Sequence, residues 1–250
     1  MRRSRPLIAS LAALAALFAI AVNPGSASAD RPYTVLATGD SMIQIIDSFL
    51  KERLGPGGIR VKSDARISTG ISKPFMLNWV KHAHRQARRA RPDLTVVFIG
   101  ANDGFPIGGA ACCGPAWIDG YAKRARRMMV SYKRSGRGRV YWLLLPAPRG
   151  GNFRRVFAAV NAALVKADAG LSGVRLIHLD KVFTPGFRFR SVIRYHGRRV
   201  HARQHDGVHL SRAGASIAAN IVIGTLRREG AWVRLGGRSS RERVAGRRSP

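Results

Sequence analysis

The chain alternates between short apolar runs and longer stretches in which apolar residues recur every three or four positions. The short runs are rich in β-branched and aromatic residues, which is typical of buried strands. Five of them are predicted as strands, at residues 33–38, 59–61, 94–100, 139–145 and 174–179. Strands that alternate with helices predict a parallel sheet covered on both faces. The expected fold class is therefore α/β with a five-stranded parallel sheet.

The longer stretches are predicted as helices. Four of them cover residues 75–90, 117–132, 153–169 and 213–228. A further helix is expected to start directly after Ser41, because the apolar residues from Met42 to Phe49 have helical spacing. His82 and His84 fall on the basic side of the helix over 75–90 and are expected to be solvated. Residues 191–203 predict a small hairpin that turns at Gly197.

Three polar clusters follow predicted strands. They are GDS at residues 39–41, GAND at 100–103 and DGVH at 206–209, after the first, third and fifth strands. In a parallel sheet of this class, ligands bind outside the carboxyl ends of the strands, so the clusters are expected to meet at one edge. Each cluster alone has a structural explanation, as a turn or as a helix cap formed by Asp40 and Ser41. Together they predict a site.

The residue types in these clusters suit nucleophilic catalysis. Ser41 lies at the tip of a strand–turn–helix segment, which holds a hydroxyl out of the sheet. A serine is a weak nucleophile unless a base takes its proton, and His209 is the candidate base. Asp206, three residues earlier, can hold the other ring nitrogen and stabilise the imidazolium. His205 is a rival base, because it is adjacent to Asp206 in the sequence.

Stabilisation of an oxyanion requires donors beside the nucleophile. Asn102 offers a side-chain amide, and Ser41 and Gly70 offer backbone N–H groups, so a hole with three donors is predicted. One such donor contributes on the order of 3 kcal/mol to the stability of a transition state.

The GDSM, GAND and DGVH blocks, in this order, resemble those of the SGNH/GDSL hydrolase family, over about residues 35 to 210. The resemblance implies a flavodoxin-like three-layer α/β/α sandwich and a serine esterase that acts through an acyl-enzyme. Carried over residue by residue, it makes Ser41 the nucleophile, His209 the base and Asp206 the residue that orients the histidine. The oxyanion hole would consist of the Ser41 and Gly70 N–H groups and Asn102, where Gly70 is assigned by position alone.

The sequence departs from the family pattern at Met42, which stands where leucine is usual and is a conservative apolar replacement. The STG at residues 68–70, together with Trp117 and Tyr121, resembles an exported bacterial subgroup whose substrates are poorly defined. The predicted substrate is an ester, with O-acetyl groups on cell-envelope or other carbohydrate favoured, and no metal or organic cofactor is implied. An O-acyltransferase that acts on envelope glycans with the same residues is an alternative.

The charge balance introduces an alternative from another class. The net charge is +31, from 44 basic and 13 acidic residues. Such an excess fits a non-catalytic module that binds a polyanion, for example an acidic envelope polymer. The alternative explanation for the excess of basic residues is a compositional preference for arginine on solvated surfaces, without a specific partner. We favour it over a dedicated partner, because the arginines are scattered through most of the chain, and we expect no nucleic-acid partner.

Both ends of the chain are expected to lie outside the catalytic domain, which is predicted over residues 30–235. Residues 1–29 have a positive start, an apolar stretch and an A-x-A ending at Ala29, which predicts a cleaved signal peptide and an exported protein. An uncleaved membrane anchor is the alternative; after cleavage no membrane span is expected. Residues 236–250 are predicted to form a basic disordered tail.

The two cysteines, Cys112 and Cys113, are neighbours in the sequence. A disulfide between neighbouring residues is disfavoured by geometry, so two thiols lining a loop are the favoured interpretation. A vicinal bridge and an intermolecular disulfide are the alternatives. No CxxC pair or histidine cluster accompanies them, so a metal site is not predicted.

Overall fold

Five parallel strands form the centre of the structure, a computed structural model that describes residues 31–231. The strands are β1 (Thr34–Gly39), β2 (Arg60–Ala65), β3 (Leu94–Phe98), β4 (Arg139–Leu143) and β5 (Val174–Ile177). Their order across the sheet is β2-β1-β3-β4-β5, and every neighbouring pair is parallel. This is the flavodoxin-like order, and it confirms the predicted fold class.

Helices cover the sheet in two groups. They are α1 (Ile46–Leu54), α2 (Trp79–Ala90), α3 (Pro115–Lys133), α4 (Gly151–Asp168), α5 (Leu179–Phe183) and α6 (Arg212–Arg228). Helices α1 and α6 pack against each other, and α3 packs between α2 and α4. Because the crossover from β1 to β2 runs in the opposite direction to those from β2 to β5, right-handed connections place the two groups on opposite faces. The result is a three-layer sandwich.

The position of each strand in the sheet explains how clearly the sequence predicts it. Every residue of β1 and β3 is buried, as expected for central strands covered on both faces. Strand β2 lies at the edge, carries the polar sequence RVKSDA and is largely exposed or half-buried. Apolar patterning therefore predicted only its beginning, at residues 59–61.

The segment after Ser41 differs from the prediction. A single 3₁₀ turn covers Ser41–Ile43, with Asp40 as its N-cap, and α1 begins only at Ile46. Ile45 has a φ of 69°, outside the helical region, so the helix cannot run continuously from residue 42. The apolar spacing is real, since Met42, Ile43 and Ile46 are all buried. The expectation of an uninterrupted helix was wrong.

Helix α2 also begins later than predicted. Its N-cap is Asn78, whose side chain accepts from the Lys81 N–H at 3.0 Å. His82 was expected to be solvated, but it is only 8 % exposed and its Nε2 lies 3.0 Å from Asp64 Oδ2. That prediction was wrong for His82, whereas His84 is exposed as expected.

The predicted hairpin is confirmed as β6 (Val192–Tyr195) and β7 (Arg198–His201), which are antiparallel. Gly197 lies in the turn between them with a φ of 78°. The cluster at 206–209 comes after β7 and immediately before α6, so it does not follow β5 directly, as the sequence suggested.

Cys112 and Cys113 form a disulfide with each other, in the loop that leads to α3. The bridge between neighbours was the alternative interpretation, and the favoured one, two free thiols, is wrong. The predicted signal peptide, residues 1–29, and the predicted basic tail, residues 236–250, lie outside the described residues. Within residues 31–231, no helix has both the length and the apolar character that a membrane span requires.

Candidate active site

The end of β1 and the end of β3 approach each other closely. Gly39 pairs with Phe98 in the register of the two strands, and its φ of 155° is one that other residues rarely adopt. A Cβ at Gly39 would overlap the carbonyl oxygen of Phe98, so only glycine fits. The two strands also flank the point where the strand order reverses, which is where sheets of this class bind ligands. Ser41 and Asn102 emerge there.

Ser41, His209 and Asp206 form one hydrogen-bonded chain. Ser41 Oγ lies 2.8 Å from His209 Nε2, and His209 Nδ1 lies 2.5 Å from Asp206 Oδ2. The other oxygen of Asp206 accepts the N–H groups of Val208 at 2.8 Å and His209 at 3.0 Å. These backbone hydrogen bonds fix the carboxylate of Asp206, which therefore orients the imidazole ring of His209.

The electrostatics of Asp206 suit this contact. Partial burial alone would raise the pKa of its carboxyl, but hydrogen bonds from the His209 ring and from the N–H groups of Val208 and His209 outweigh burial. The pKa of Asp206 therefore lies below its usual value, and the group is a carboxylate at neutral pH. A positive charge on His209 would be stabilised by it.

The rival base is placed differently. His205 is exposed, and its ring makes no hydrogen bond within residues 31–231, whereas the hydroxyl of Ser41 contacts His209. Arg203, which sequence patterns did not single out, is buried beneath the same loop. Its Nη2 donates to the carbonyl oxygens of Gly207 at 3.1 Å and Ala147 at 3.2 Å, which ties the histidine loop to the loop after β4.

Asp40, which the sequence suggested only as a cap, is the buried acceptor that connects the ends of β1 and β3. One oxygen accepts the Met42 N–H at 2.9 Å, and the other accepts the N–H groups of Gly100 and Ala101, both at 2.9 Å. The side chain is completely buried, and burial raises its pKa to about 6 despite these hydrogen bonds.

The predicted oxyanion donors lie on this framework. Asn102 Nδ2 is 3.4 Å from the Asp40 carboxylate, a long contact that leaves an amide hydrogen available. A Cβ at Gly70 would lie 2.6 Å from Asp103 Oδ1 and 3.3 Å from the backbone carbon of Asn102, so Gly70 is directly beside Asn102. Among the described residues, neither the Ser41 N–H nor the Gly70 N–H has an acceptor.

A second buried carboxylate, Asp103, holds the loops that carry Gly70 and Asn102. Asp103 Oδ1 accepts hydrogen bonds from the Ser72 N–H at 2.6 Å and from the Ser72 hydroxyl at 2.8 Å. Asp103 Oδ2 accepts one from the Tyr121 hydroxyl at 2.7 Å. Burial raises the pKa of Asp103, against the effect of these donors. The sequence did not predict that Ser72 and Tyr121 both bind Asp103. They lie 31 and 18 positions away from it along the chain, and no local pattern links residues so far apart.

The same loops expose apolar side chains. Phe75 is 70 % and Phe105 41 % exposed, and their rings meet edge to face with centroids 5.4 Å apart. Ile67 and Met76, on the loop that carries Gly70, are also more than half exposed. Exposed apolar side chains concentrated beside a candidate site offer a surface for a substrate. Within the described part of the chain, no group of three or more His, Cys, Asp or Glu residues is placed to hold a metal ion.

Several solved structures share the fold of this chain. A protein described as an SGNH hydrolase, from Slackia heliotrinireducens, aligns with a TM-score of 0.55 and 20 % identity over 78 % of this chain and 99 % of that chain. A carbohydrate esterase family 3 protein from Talaromyces cellulolyticus aligns with a TM-score of 0.54 and 14 % identity, over 78 % of this chain and 96 % of that chain. The C-terminal catalytic domain of peptidoglycan O-acetyltransferase A from Streptococcus pneumoniae aligns with a TM-score of 0.51 and 13 % identity, over 79 % of this chain and 94 % of that chain. The fold is therefore the SGNH hydrolase fold.

The family can be stated as well. Residues 34–225 match the family model described as "Protein of unknown function (DUF459)", so the chain belongs to this SGNH-like family. The resemblance to SGNH/GDSL hydrolases is thus confirmed. No curated protein matches the chain.

Proposed function

We propose that the protein is a serine esterase that hydrolyses ester bonds through an acyl-enzyme. The observation that carries the proposal is the hydrogen-bonded chain from Ser41 Oγ through His209 to Asp206, with distances of 2.8 and 2.5 Å. Geometry of this kind activates a serine, because the imidazole accepts the hydroxyl proton while the carboxylate stabilises the resulting charge. The similarity to SGNH esterases agrees with this chemistry.

In the proposed reaction, Ser41 Oγ attacks the ester carbonyl carbon as its proton passes to His209 Nε2. The oxyanion receives hydrogen bonds from the Ser41 and Gly70 N–H groups and the Asn102 amide. His209 then gives the proton to the departing alcohol oxygen, which leaves an acyl group on Ser41. Water attacks the acyl-enzyme while His209 accepts its proton. As the acyl–oxygen bond breaks, His209 returns this proton to Ser41 Oγ, so the carboxylic acid is released and the Ser41 hydroxyl is regenerated.

For the substrate, we propose O-acetyl groups on carbohydrate. The exposed rings of Phe75 and Phe105 beside the candidate site give apolar faces on which a sugar ring can pack. Two of the proteins with the same fold are a carbohydrate esterase and a peptidoglycan O-acetyltransferase domain. We further propose that the mature protein is exported, on the basis of the signal-like residues 1–29.

The experiment compares Ser41→Ala with wild type on p-nitrophenyl acetate and on longer-chain esters. We expect the variant to lose hydrolysis to the background level, and a fluorophosphonate probe to label wild type at Ser41 alone. Ser48→Ala, which removes an exposed hydroxyl on α1, is the matched control and should retain full activity and labelling. Hydrolysis that survives in Ser41→Ala, or labelling at another serine, would contradict the assignment.

The same assay separates hydrolysis from acyl transfer. With p-nitrophenyl acetate as donor and an oligosaccharide as acceptor, an esterase releases acetate in proportion to p-nitrophenol. An acyltransferase that uses the same residues would instead yield acetylated oligosaccharide. If the acetylated sugar is the main product, the proposed reaction is acyl transfer and not hydrolysis, and the proposed roles of Ser41 and His209 stay the same.

A further inference from the structure

A long groove with basic walls lies between α2 and α3, away from the catalytic residues. Its main recess has a volume of about 880 Å³. Four exposed cations line it: Lys81 and Arg85 from α2, and Lys123 and Arg127 from α3. Val80 and Val130 form an apolar part of the lining. We call these six residues and the recess between them the basic groove.

The charge of the groove is of one sign. The sequence of α2, WVKHAHRQARRA, contains no acidic residue, and the single acid of α3, Asp119, pairs with Lys166 at 2.5 Å. Within the described residues, none of the four groove cations forms an ion pair. Like charges that face each other across a recess repel, and an anion between them would remove this repulsion.

The groove continues along the helices. A second recess of about 510 Å³ shares His84, Val130 and Ser131 with the first and is lined by three more exposed arginines, Arg88, Arg91 and Arg137. The 12 residues of α2 make a path of about 18 Å. A basic path of this length is suited to a linear polyanion, because several charges of one ligand can be neutralised together.

The topology connects the groove to the candidate active site. Both α2 and α3 start at the carboxyl edge of the sheet, where Ser41 lies, and run back towards the opposite edge. Lys81 is three residues from Asn78, the N-cap that ends the loop carrying Gly70 and Phe75. A polymer lying along the groove would therefore extend towards the edge at which the proposed ester hydrolysis takes place.

We propose that the basic groove binds an anionic polysaccharide. Acid groups of the polymer would pair with Lys81, Arg85, Lys123 and Arg127, while sugar faces contact Val80 and Val130. No Phe, Tyr or Trp lines either described recess, so the stacking platforms that single-stranded nucleic acid uses are missing. A recess between two helices also fits a chain better than a planar membrane surface. The inference does not depend on the proposed esterase activity.

The test measures binding of polygalacturonate to the full chain at about 50 and about 200 mM NaCl. The groove variant carries Lys81→Gln, Arg85→Gln, Lys123→Gln and Arg127→Gln. The control variant carries Lys51→Gln, Arg60→Gln, Arg194→Gln and Arg199→Gln, four exposed cations outside the groove. Both variants have a net charge of +27 instead of +31, so they differ only in where the charge is lost.

We expect the groove variant to weaken binding at least about tenfold and to flatten its salt dependence, because fewer counterions are released. The control variant should stay within about threefold of wild type, and dextran, a neutral polymer, should not bind to any of the proteins. Equal losses in both variants would overturn the proposal in favour of diffuse charge. Duplex DNA that binds more tightly than polygalacturonate through the same four residues would overturn the ligand class.

Ester hydrolysis keeps this test separate from the proposed function. Turnover of p-nitrophenyl acetate, a small neutral ester, should be unchanged in the groove variant, since none of the four cations contacts Ser41, His209 or Asp206. Groove-dependent binding by a protein without esterase activity supports the groove and contradicts the enzyme. Activity without polymer binding does the reverse.

Discussion

The carboxylate of Asp40 determines how Ser41 and Asn102 lie relative to each other. It is completely buried without a cationic partner and is satisfied by N–H groups from both strand ends. Burying a carboxylate is unfavourable for its charged form, and this burial raises the pKa of Asp40 to about 6. This arrangement costs stability but fixes the backbone on each side of the proposed oxyanion position, which is the preorganisation that catalysis requires.

Asn102 is the residue that tests the oxyanion hole. Asn102→Ala should lower kcat for p-nitrophenyl acetate by roughly 10²–10³ and change KM little, because the lost donor acts on charge that develops in the transition state. The melting temperature should move little, since the one contact of the amide group is long, at 3.4 Å. Steady-state kinetics and thermal melts of both proteins measure these effects.

Asn102→Asp serves as the matched control, because it preserves shape but exchanges a donor for an acceptor. It should be at least as slow as Asn102→Ala. If both variants retain activity within about threefold, the amide does not face the oxyanion, and that role must be withdrawn.

The sequence was sufficient to single out the three residues of the proposed triad, but not the residues that hold the neighbouring loops in place. Ser41, Asp206 and His209 lie in short motifs with known spacing, and the structure brings all three into contact. Ser72 and Tyr121 contact Asp103 only because three segments of the chain meet in the fold. No periodicity or motif encodes such a contact, so a single sequence could not reveal it.

At the scale of elements, the loop after β2, the loop after β3 and helix α3 form one connected unit through Asp103. Ser72 Oγ also accepts the N–H groups of Gly104 and Phe105, each at 3.2 Å. The loop bearing Gly70 and the loop bearing Asn102 are therefore held to each other twice over. The hydroxyl of Tyr121 secures this pair of loops to the body of α3.

Two tyrosines of α3 allow a matched test of this unit. Tyr121 and Tyr132 are both fully buried, and each donates to a buried acceptor, Asp103 at 2.7 Å and Gln86 at 2.5 Å respectively. Tyr121→Phe and Tyr132→Phe should each destabilise the protein by roughly 1–3 kcal/mol, because each leaves an acceptor without its donor. Only Tyr121→Phe should also lower kcat, since only its partner lies in the loops of the candidate site.

Urea unfolding gives the stability change of each variant, and kinetics well below the unfolding transition gives kcat. Equal effects of the two substitutions on kcat would mean that activity follows general stability and that the Asp103 unit has no specific positioning role.

Elements were predicted well where burial alone decides them. The buried strands β1, β3 and β4 are rich in apolar residues, so their patterns leave little ambiguity. The predicted helix starts were wrong where a backbone conformation or a capping side chain determines the first residue of the helix. The positive φ of Ile45 delays the start of α1, and the Asn78 cap delays the start of α2, although the apolar spacing continues through both points. Propensity does not resolve such local choices.

At the scale of the whole molecule, charge is the dominant feature. The net charge of +31 leaves most basic side chains without an acidic partner, because only 13 acids are available. Repulsion among them opposes the compact state. The fold compensates through an extensive apolar core that includes the buried tryptophans at positions 79, 117 and 142. The basic groove concentrates this repulsion between two neighbouring helices.

The stability of the molecule should therefore rise with salt. Raising NaCl from about 20 to about 300 mM shortens the screening length from over 20 Å to below 10 Å, so the melting temperature of the wild type should increase. At low salt the groove variant should melt at a higher temperature than the equally charged control variant, because its four lost cations face one another. This difference should shrink at high salt. Differential scanning fluorimetry of the three proteins measures both trends. A melting temperature that falls as salt rises would show that attractive ion pairs outweigh repulsion, and the view that net charge limits stability would be wrong.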